Sequence, residues 1–254
     1  MQKHESNSIE SACILLTCEH ATRHVPAAYR HLFREAGAVL DSHRGWDPGA
    51  LEMAEALSRA SGARLEIGRA TRLLVELNRS PDHPQLWSEF TRGLTDAEKE
   101  AILTEWYQPY RSRVRQCIGR HVAEGESVRH FSIHSFTPVL DGQIRDCDVG
   151  LLFDPDRSAE VRTARELRAW LREVVPGLRV RMNQPYRGVD DGFTTWLRRH
   201  FGDAVYAGIE IEFNQALLLD PTGAWSELQD CIGQYLASYE DFGHGLNADG
   251  RSVE

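Results

Sequence analysis

The chain has 254 residues, room for one large domain or two small ones, and at this size an α/β domain buries roughly three quarters of its unfolded surface without disulfide staples. Its 38 Asp and Glu against 29 Lys and Arg give a formal charge of −9, with no basic stripe long enough to follow a phosphate backbone, which argues against nucleic acid as a partner. No apolar run approaches the roughly 18 residues of a membrane span. The polar start Met1-Gln2-Lys3-His4-Glu5-Ser6 has no apolar region of a signal peptide. The cysteines Cys13, Cys18, Cys117, Cys147 and Cys231 lack CxxC spacing and read as reduced thiols, so the expectation is a cytoplasmic protein without a membrane partner.

Residues 1–10 are expected to form a disordered tail, 11–242 a single α/β domain, and 243–254 a flexible tail. The first strand, Ile14-Leu15-Leu16-Thr17, ends abruptly at Cys18-Glu19-His20. An apolar run closed by polar groups reads as a buried strand that delivers its last side chains to the carboxyl edge of a sheet, where open α/β sheets keep their chemistry. Residues 47–61 repeat apolar side chains at helical spacing (Leu51, Ala54, Leu57), with Pro48 at the favoured first helical position and Gly62 as a stop. A short strand is predicted at 65–67 and another at 72–79, followed by a loop through Pro81 and Pro84. Thr95-Asp96-Ala97-Glu98 is a capping box that opens one long helix to about Val122. Strands follow at 128–134, 149–153 and 178–182, the last two separated by an amphipathic helix at 158–175. A turn falls at Asp141-Gly142, a short helix at 192–201, a core strand at 205–213, and a covering helix at 225–239. Alternation of strands and helices implies a mostly parallel sheet with helices on both faces.

Three polar residues stand at element ends: His20, Asp47 and His134. Neutral imidazoles plus one carboxylate, with a fourth position left to water, is the ligand pattern of a catalytic zinc site. The plainer reading makes Asp47 a helix cap before Pro48 and the histidines ordinary polar strand ends. Arg72 and Arg79, with Asn78 beside the second, suit a substrate carboxylate, because a guanidinium fork matches one bidentately; surface ion pairing would explain them too. In Gly208-Ile209-Glu210-Ile211-Glu212-Phe213-Asn214 two glutamates share one face of a buried strand, which is either a solvated face or the place of a general base. No G-x-S-x-G elbow occurs, so a serine hydrolase is disfavoured.

Taken together, Cys18-Glu19-His20 with Pro26, residues 43–50 (HRGWDPGA), Arg72 followed by Glu76-Leu77-Asn78-Arg79, Ser132-Ile133-His134-Ser135 and residues 209–214 resemble the N-formylglutamate amidohydrolase family. The blocks keep the family's order from about residue 13 to 220. That family is similar to the zinc carboxypeptidases and aspartoacylase, which implies a single-domain, mixed, mostly parallel sheet of about eight strands between helices. In those relatives a glutamate ligand follows the first metal histidine by three residues, where this chain has Arg23. The resemblance therefore implies a replacement carboxylate, Asp47 first and Glu19 second.

It further implies one zinc ion per chain held by His20, Asp47 and His134, with Arg72 polarising the scissile carbonyl and Asn78 and Arg79 on the substrate carboxylate. Glu212 matches the family's general base better than Glu210. Residues 183–188 (NQPYRG) resemble a family loop near the substrate, which brings in Tyr186 and Arg187. The implied activity is deformylation or small-acyl removal from an acidic amino acid in amino-acid catabolism, by default N-formyl-L-glutamate plus water to formate and L-glutamate. Another N-acyl amino acid or a small peptide is the alternative substrate, and a catalytically silent carboxylate-binding module the alternative class. Monomer and small homo-oligomer are both left open.

Overall fold

The computed structural model describes residues 12–244. The tails expected at 1–10 and 243–254 lie outside the described residues, except that 243 and 244 close the last helix. In chain order the elements are β1 (Ala12–Cys18), α1 (Gly37–Leu40), α2 (Ala50–Ser61), β2 (Arg64–Ile67), α3 (Asp96–Ile102), α4 (Gln108–Ala123) and β3 (Ser127–Phe136). They continue with β4 (Val139–Leu140), β5 (Gln143–Ile144), β6 (Val149–Leu152), α5 (Ser158–Val174), β7 (Val180–Met182), α6 (Phe193–Arg198), β8 (Tyr206–Asn214) and α7 (Ala224–His244). Short 3-10 turns at Ala27–Phe33 and Gln215–Leu219 and a π turn at Leu103–Tyr107 complete the set. No described helix is long and apolar enough to cross a membrane.

Six strands form one sheet in the order β2-β1-β3-β8-β6-β7, parallel except where β6 runs against β8. The mixed, mostly parallel sheet is as expected, but the central sheet has six strands rather than eight. The other two, β4 and β5, are a separate exposed hairpin of two residues per strand, turned by Asp141 and Gly142, both at positive φ. Such short strands have no apolar face with which to join a core.

Strand parity decides where the chemistry lies. In β1, Ile14, Leu16 and Cys18 enter a core built with α2, α5 and α7, while Leu15 enters a second core with α4 and α6 on the opposite face. In β3 and β8, Phe131, Ile133, Ile209, Ile211 and Phe213 join the first core, so His130, Ser132, His134, Glu210 and Glu212 point to the second face. The register sets His134 opposite Glu212 and Ser132 opposite Glu210. Both strands are buried along their whole length, so this polar stripe lies inside the protein.

Two expectations are corrected. Residues 72–79 form no strand: Leu74 N–H donates to Thr71 O, Glu76 N–H to Leu86 O and Arg79 N–H to Glu76 O, all outside any ladder. The apolar run there lacks alternation, with Leu73, Leu74, Val75 and Leu77 all buried in the second core, and the neighbouring edge of β1 is already paired with β2. The single helix expected from the capping box at Thr95 is two helices joined by the π turn, and its buried stripe steps from Ile102 to Tyr107, five residues rather than three or four.

Candidate active site

Each potential ligand is placed by its own element at the carboxyl edge of the sheet. His20 follows β1, His134 lies near the end of β3, and the backbone N–H of Asp47 donates to His20 O at 3.0 Å, which ties the approach to α2 onto the end of β1. The helix begins at Ala50 rather than at Pro48, because Gly49 before it takes φ 82°, where a Cβ would strike Leu218, and it has no side-chain cap. Asp47 is therefore no helix cap. Its Oδ2 lies 3.2 Å from His20 Nδ1 and 3.0 Å from His134 Nδ1, and the two Nδ1 atoms are 3.2 Å apart. All three residues are buried.

The far nitrogens explain this convergence. His20 Nε2 donates to Glu76 Oε1, and His134 Nε2 lies 2.9 Å from Ser132 Oγ and 3.1 Å from Glu19 Oε2. With the Nε2 sides held by these acceptors, both Nδ1 atoms face the same spot as Asp47 Oδ2. Although burial opposes charge on them, the neighbouring carboxylates push both histidines up, so protons hold the three atoms together here, and neutral imidazoles would bring two lone pairs and a carboxylate oxygen to one point suited to a cation. Bonds of about 2.0–2.1 Å to a tetrahedral ion would set ligand atoms roughly 3.3 Å apart, near the spacing seen, so the donor set fits a divalent metal. A second group, His121, Glu124 and Glu126, stands at the end of α4, but it is partly or fully exposed, and His121 Nδ1 is engaged by Glu126 Oε2 at 2.6 Å.

Glu19 and Glu76 thus stand behind the ligand set. Glu19 also accepts from Ser132 Oγ and Tyr110 Oη, both at 2.6 Å, so it is a brace for His134 and not a member of the ligand triangle. Although burial opposes charge on both groups, hydrogen bonds and charges from His134 hold Glu19, and Arg72 and His20 hold Glu76, well below the usual carboxylate range. The bracing role of Glu76 is absent from a reading of the sequence; only its place between Arg72 and Asn78 hints at it.

Arg72 is fixed by both sides of this frame, with Nε on Glu76 Oε2 at 2.7 Å and Nη1 on Asp47 Oδ1 at 3.1 Å. Asn78 Oδ1 accepts from Phe193 N–H at 2.6 Å, and its amide NH2 end has no hydrogen-bond partner among the described residues. Arg79 Nη1 donates to the carbonyls of Asn78 and Asp191 at 3.0 and 2.7 Å, and among the described residues neither Arg79 nor Arg187 has an ion-pair partner. The two glutamates of β8 differ. Glu210 Oε1 accepts from Thr194 Oγ1 at 2.6 Å, whereas the buried Glu212 Oε2 has no hydrogen-bond partner among the described residues. Burial, reinforced by the charges of Asp47 and Glu210 and opposed by His134, pushes the Glu212 carboxyl up to about 7.

His20, Asp47, Arg72, Asn78, Arg79, His134, Tyr186, Arg187 and Glu212 all line one cavity of about 190 Å³. The same walls include Ser135, Leu152, Asp190, Asp191, Gly192 and Glu210, of which the aspartates and Gly192 carry no motif that would have singled them out. A roomier cavity of about 250 Å³, between Ile67, Val75, Trp106 and Arg113, contains no cluster of metal-ligating groups. Drug-sized ligands occupy roughly 300–1,000 Å³, so the site admits a small molecule.

A family model described as N-formylglutamate amidohydrolase matches residues 12–219. The fold is similar to the crystal structure of a gene product from Agrobacterium tumefaciens, at 32% identity over 92% of this chain and 94% of that one, with a TM-score of 0.74. It is also similar to an N-formylglutamate amidohydrolase from Ralstonia eutropha, at 17% identity over 91% and 94% of the two chains, with a TM-score of 0.64. No curated protein matches the sequence.

Proposed function

The chain belongs to the N-formylglutamate amidohydrolase family, and from that premise we propose that it is a zinc-dependent enzyme that hydrolyses N-formyl-L-glutamate, or a close N-acyl analogue, to the acid and the free amino acid. His20 Nδ1, Asp47 Oδ2 and His134 Nδ1 would hold the zinc, which when bound supplies Lewis acidity and water acidified toward a pKa of about 7. Glu212 Oε2 takes a proton from the attacking water as its oxygen bonds to the acyl carbon. The same carboxyl then delivers that proton to the amide nitrogen as the C–N bond breaks, so that formate and the amine of glutamate leave. Burial, which raises the Glu212 carboxyl in the metal-free protein, favours a group that can hold the proton between the two steps.

Arg72, fixed by Glu76 and Asp47, keeps further N–H bonds for the carbonyl oxygen as negative charge gathers on it. Asn78 and Arg79 hold the substrate carboxylate, and Tyr186 and Arg187, on the wall of the same cavity, contact the rest of the amino acid. The observation that carries the reading is an unpartnered, buried Glu212 oxygen in the same small cavity as the converging His20, Asp47 and His134 atoms.

Metal analysis joined to a formate-release assay with N-formyl-L-glutamate tests it. Bound zinc and zinc-dependent formate release are expected. Bound zinc with turnover of other N-acyl amino acids alone would overturn the substrate assignment, and binding of glutamate-like carboxylates with neither metal nor turnover would overturn the enzymatic one.

A further inference from the structure

The stretch that carries Asn78 and Arg79 is irregular, so nothing in a strand ladder fixes it, yet its carbonyls are held from one direction. Arg111 Nη1, from α4, donates to Leu77 O at 3.0 Å and to Arg79 O at 3.2 Å, and Tyr107 Oη donates to Arg79 O at 2.6 Å. Arg111 is 4% exposed and makes no ion pair among the described residues. Its guanidinium lies among three aromatic rings instead, with Cζ 4.9, 4.4 and 4.6 Å from the centroids of Tyr107, Phe193 and Trp196. Its Nη2 has no hydrogen-bond partner among the described residues.

Burying a cation without a counter-ion is costly, and burial duly lowers the Arg111 pKa. A neutral side chain of similar length would fill the space at lower cost, so packing alone gives no reason for an arginine. The rings it touches supply one: Phe193 donates its N–H to Asn78 Oδ1 and follows Asp191 and Gly192, which line the cavity. One guanidinium therefore ties both walls of the carboxylate end, the Asn78–Arg79 stretch by hydrogen bonds and the start of α6 by its aromatic face. The π turn contributes the other half, because the five-residue step from Ile102 to Tyr107 brings the Tyr107 hydroxyl onto Arg79 O.

We infer that Arg111 and Tyr107 are positioning residues for substrate: they set the carbonyls of Leu77 and Arg79 and thereby aim Asn78 and Arg79 at the substrate carboxylate. The inference rests on the proposed role of Arg79, and the test separates the two. KM, kcat, zinc content and thermal midpoint are measured with N-formyl-L-glutamate for Arg79→Ala, Arg111→Met, Arg111→Lys, Tyr107→Phe and the Arg79→Ala/Tyr107→Phe double variant.

Arg79→Ala should raise KM, and Arg111→Met should raise KM about 10-fold or more with a smaller change in kcat and unchanged zinc, the pattern of lost uniform binding. Arg111→Lys should recover part of that loss, and Tyr107→Phe should raise KM several-fold. In the Arg79→Ala background Tyr107→Phe should raise KM by clearly less than it does in the wild type, because a residue that acts largely through Arg79 is non-additive with it. If Arg79→Ala raises KM while Tyr107→Phe and Arg111→Lys shift only the thermal midpoint, the positioning role is wrong and the two residues are merely structural. If Arg79→Ala leaves KM unchanged, the carboxylate role itself is wrong and the inference falls with it. Tyr107→Phe, which removes one hydroxyl while Arg111 still holds Arg79 O, keeps the test decisive should Arg111→Met fail to fold.

Discussion

Glu212→Gln keeps the shape of a buried side chain and removes its charge, and its effects on activity and on stability have opposite signs. In the metal-free protein burial lifts the Glu212 carboxyl from 4.5 to about 7. A carboxyl whose folded pKa lies above its unfolded pKa contributes stability that is complete below pH 4.5 and is lost as pH rises through about 7. At about 1.4 kcal/mol per pH unit, this one group costs the wild-type protein about 3 kcal/mol between acid and mildly alkaline pH. Glutamine carries no such cost. Urea unfolding of chelator-treated wild type and variant at about pH 5 and about pH 8 should therefore show the variant gaining on wild type as pH rises. In the zinc-loaded enzyme the same change should lower kcat by about 10²-fold or more with metal content unchanged, while Glu210→Gln, at a side chain already engaged by Thr194, should lower it much less. A stability difference that stays constant with pH would refute the burial argument. If the two glutamine variants exchanged their kinetic behaviour, Glu210 would be the base.

The purified protein should hold about one zinc per chain by metal analysis, and His134→Ala, which removes one corner of the ligand triangle, should lose it; stoichiometric zinc in that variant would disprove the site. Glu19→Gln and Glu76→Gln, which weaken the acceptors behind His134 and His20, should each lower zinc affinity by about 10–100-fold in a chelator competition, and unchanged affinity would mean that the histidine rings are oriented by something else. His130, buried between Thr17 Oγ1 and Tyr206 Oη at 2.8 Å each, is pushed by burial from 6.5 down to about 4. A histidine kept neutral in the fold contributes stability that is complete above pH 6.5 and lost as pH falls toward 4. Over that window wild type should lose about 3 kcal/mol relative to His130→Gln in urea unfolding, and parallel losses in the two proteins would contradict it.

How much of this could be read from the chain depends on whether the signal is local. The polar face of β8 was legible, because Ile209, Ile211 and Phe213 alternate with Glu210 and Glu212 at a period of two that needs no partner to be seen, and His134 was legible as the polar end of an apolar run. The braces on the metal-ligand candidates were not. Glu19 meets His134 across 115 residues of chain and Glu76 meets His20 across 56, so each pairing exists only once the sheet order is known. Arg111 escaped for a related reason: on an amphipathic helix an arginine reads as solvated, and only the π turn and the start of α6 enclose it. Residues 72–79 misled because the apolar run Leu73, Leu74 and Val75, closed by polar side chains, has the look of a buried strand, yet parity forbids the strand on functional grounds as well. In a regular strand Arg72, Glu76 and Asn78 would share one face and Arg79 would take the other. Arg72, Asn78 and Arg79 nevertheless line the same cavity, and Glu76 bonds the histidine beside it. An irregular backbone is therefore what allows this short stretch to supply both a brace for His20 and three groups facing the cavity, and it must be fixed by side chains from elsewhere because no ladder fixes it.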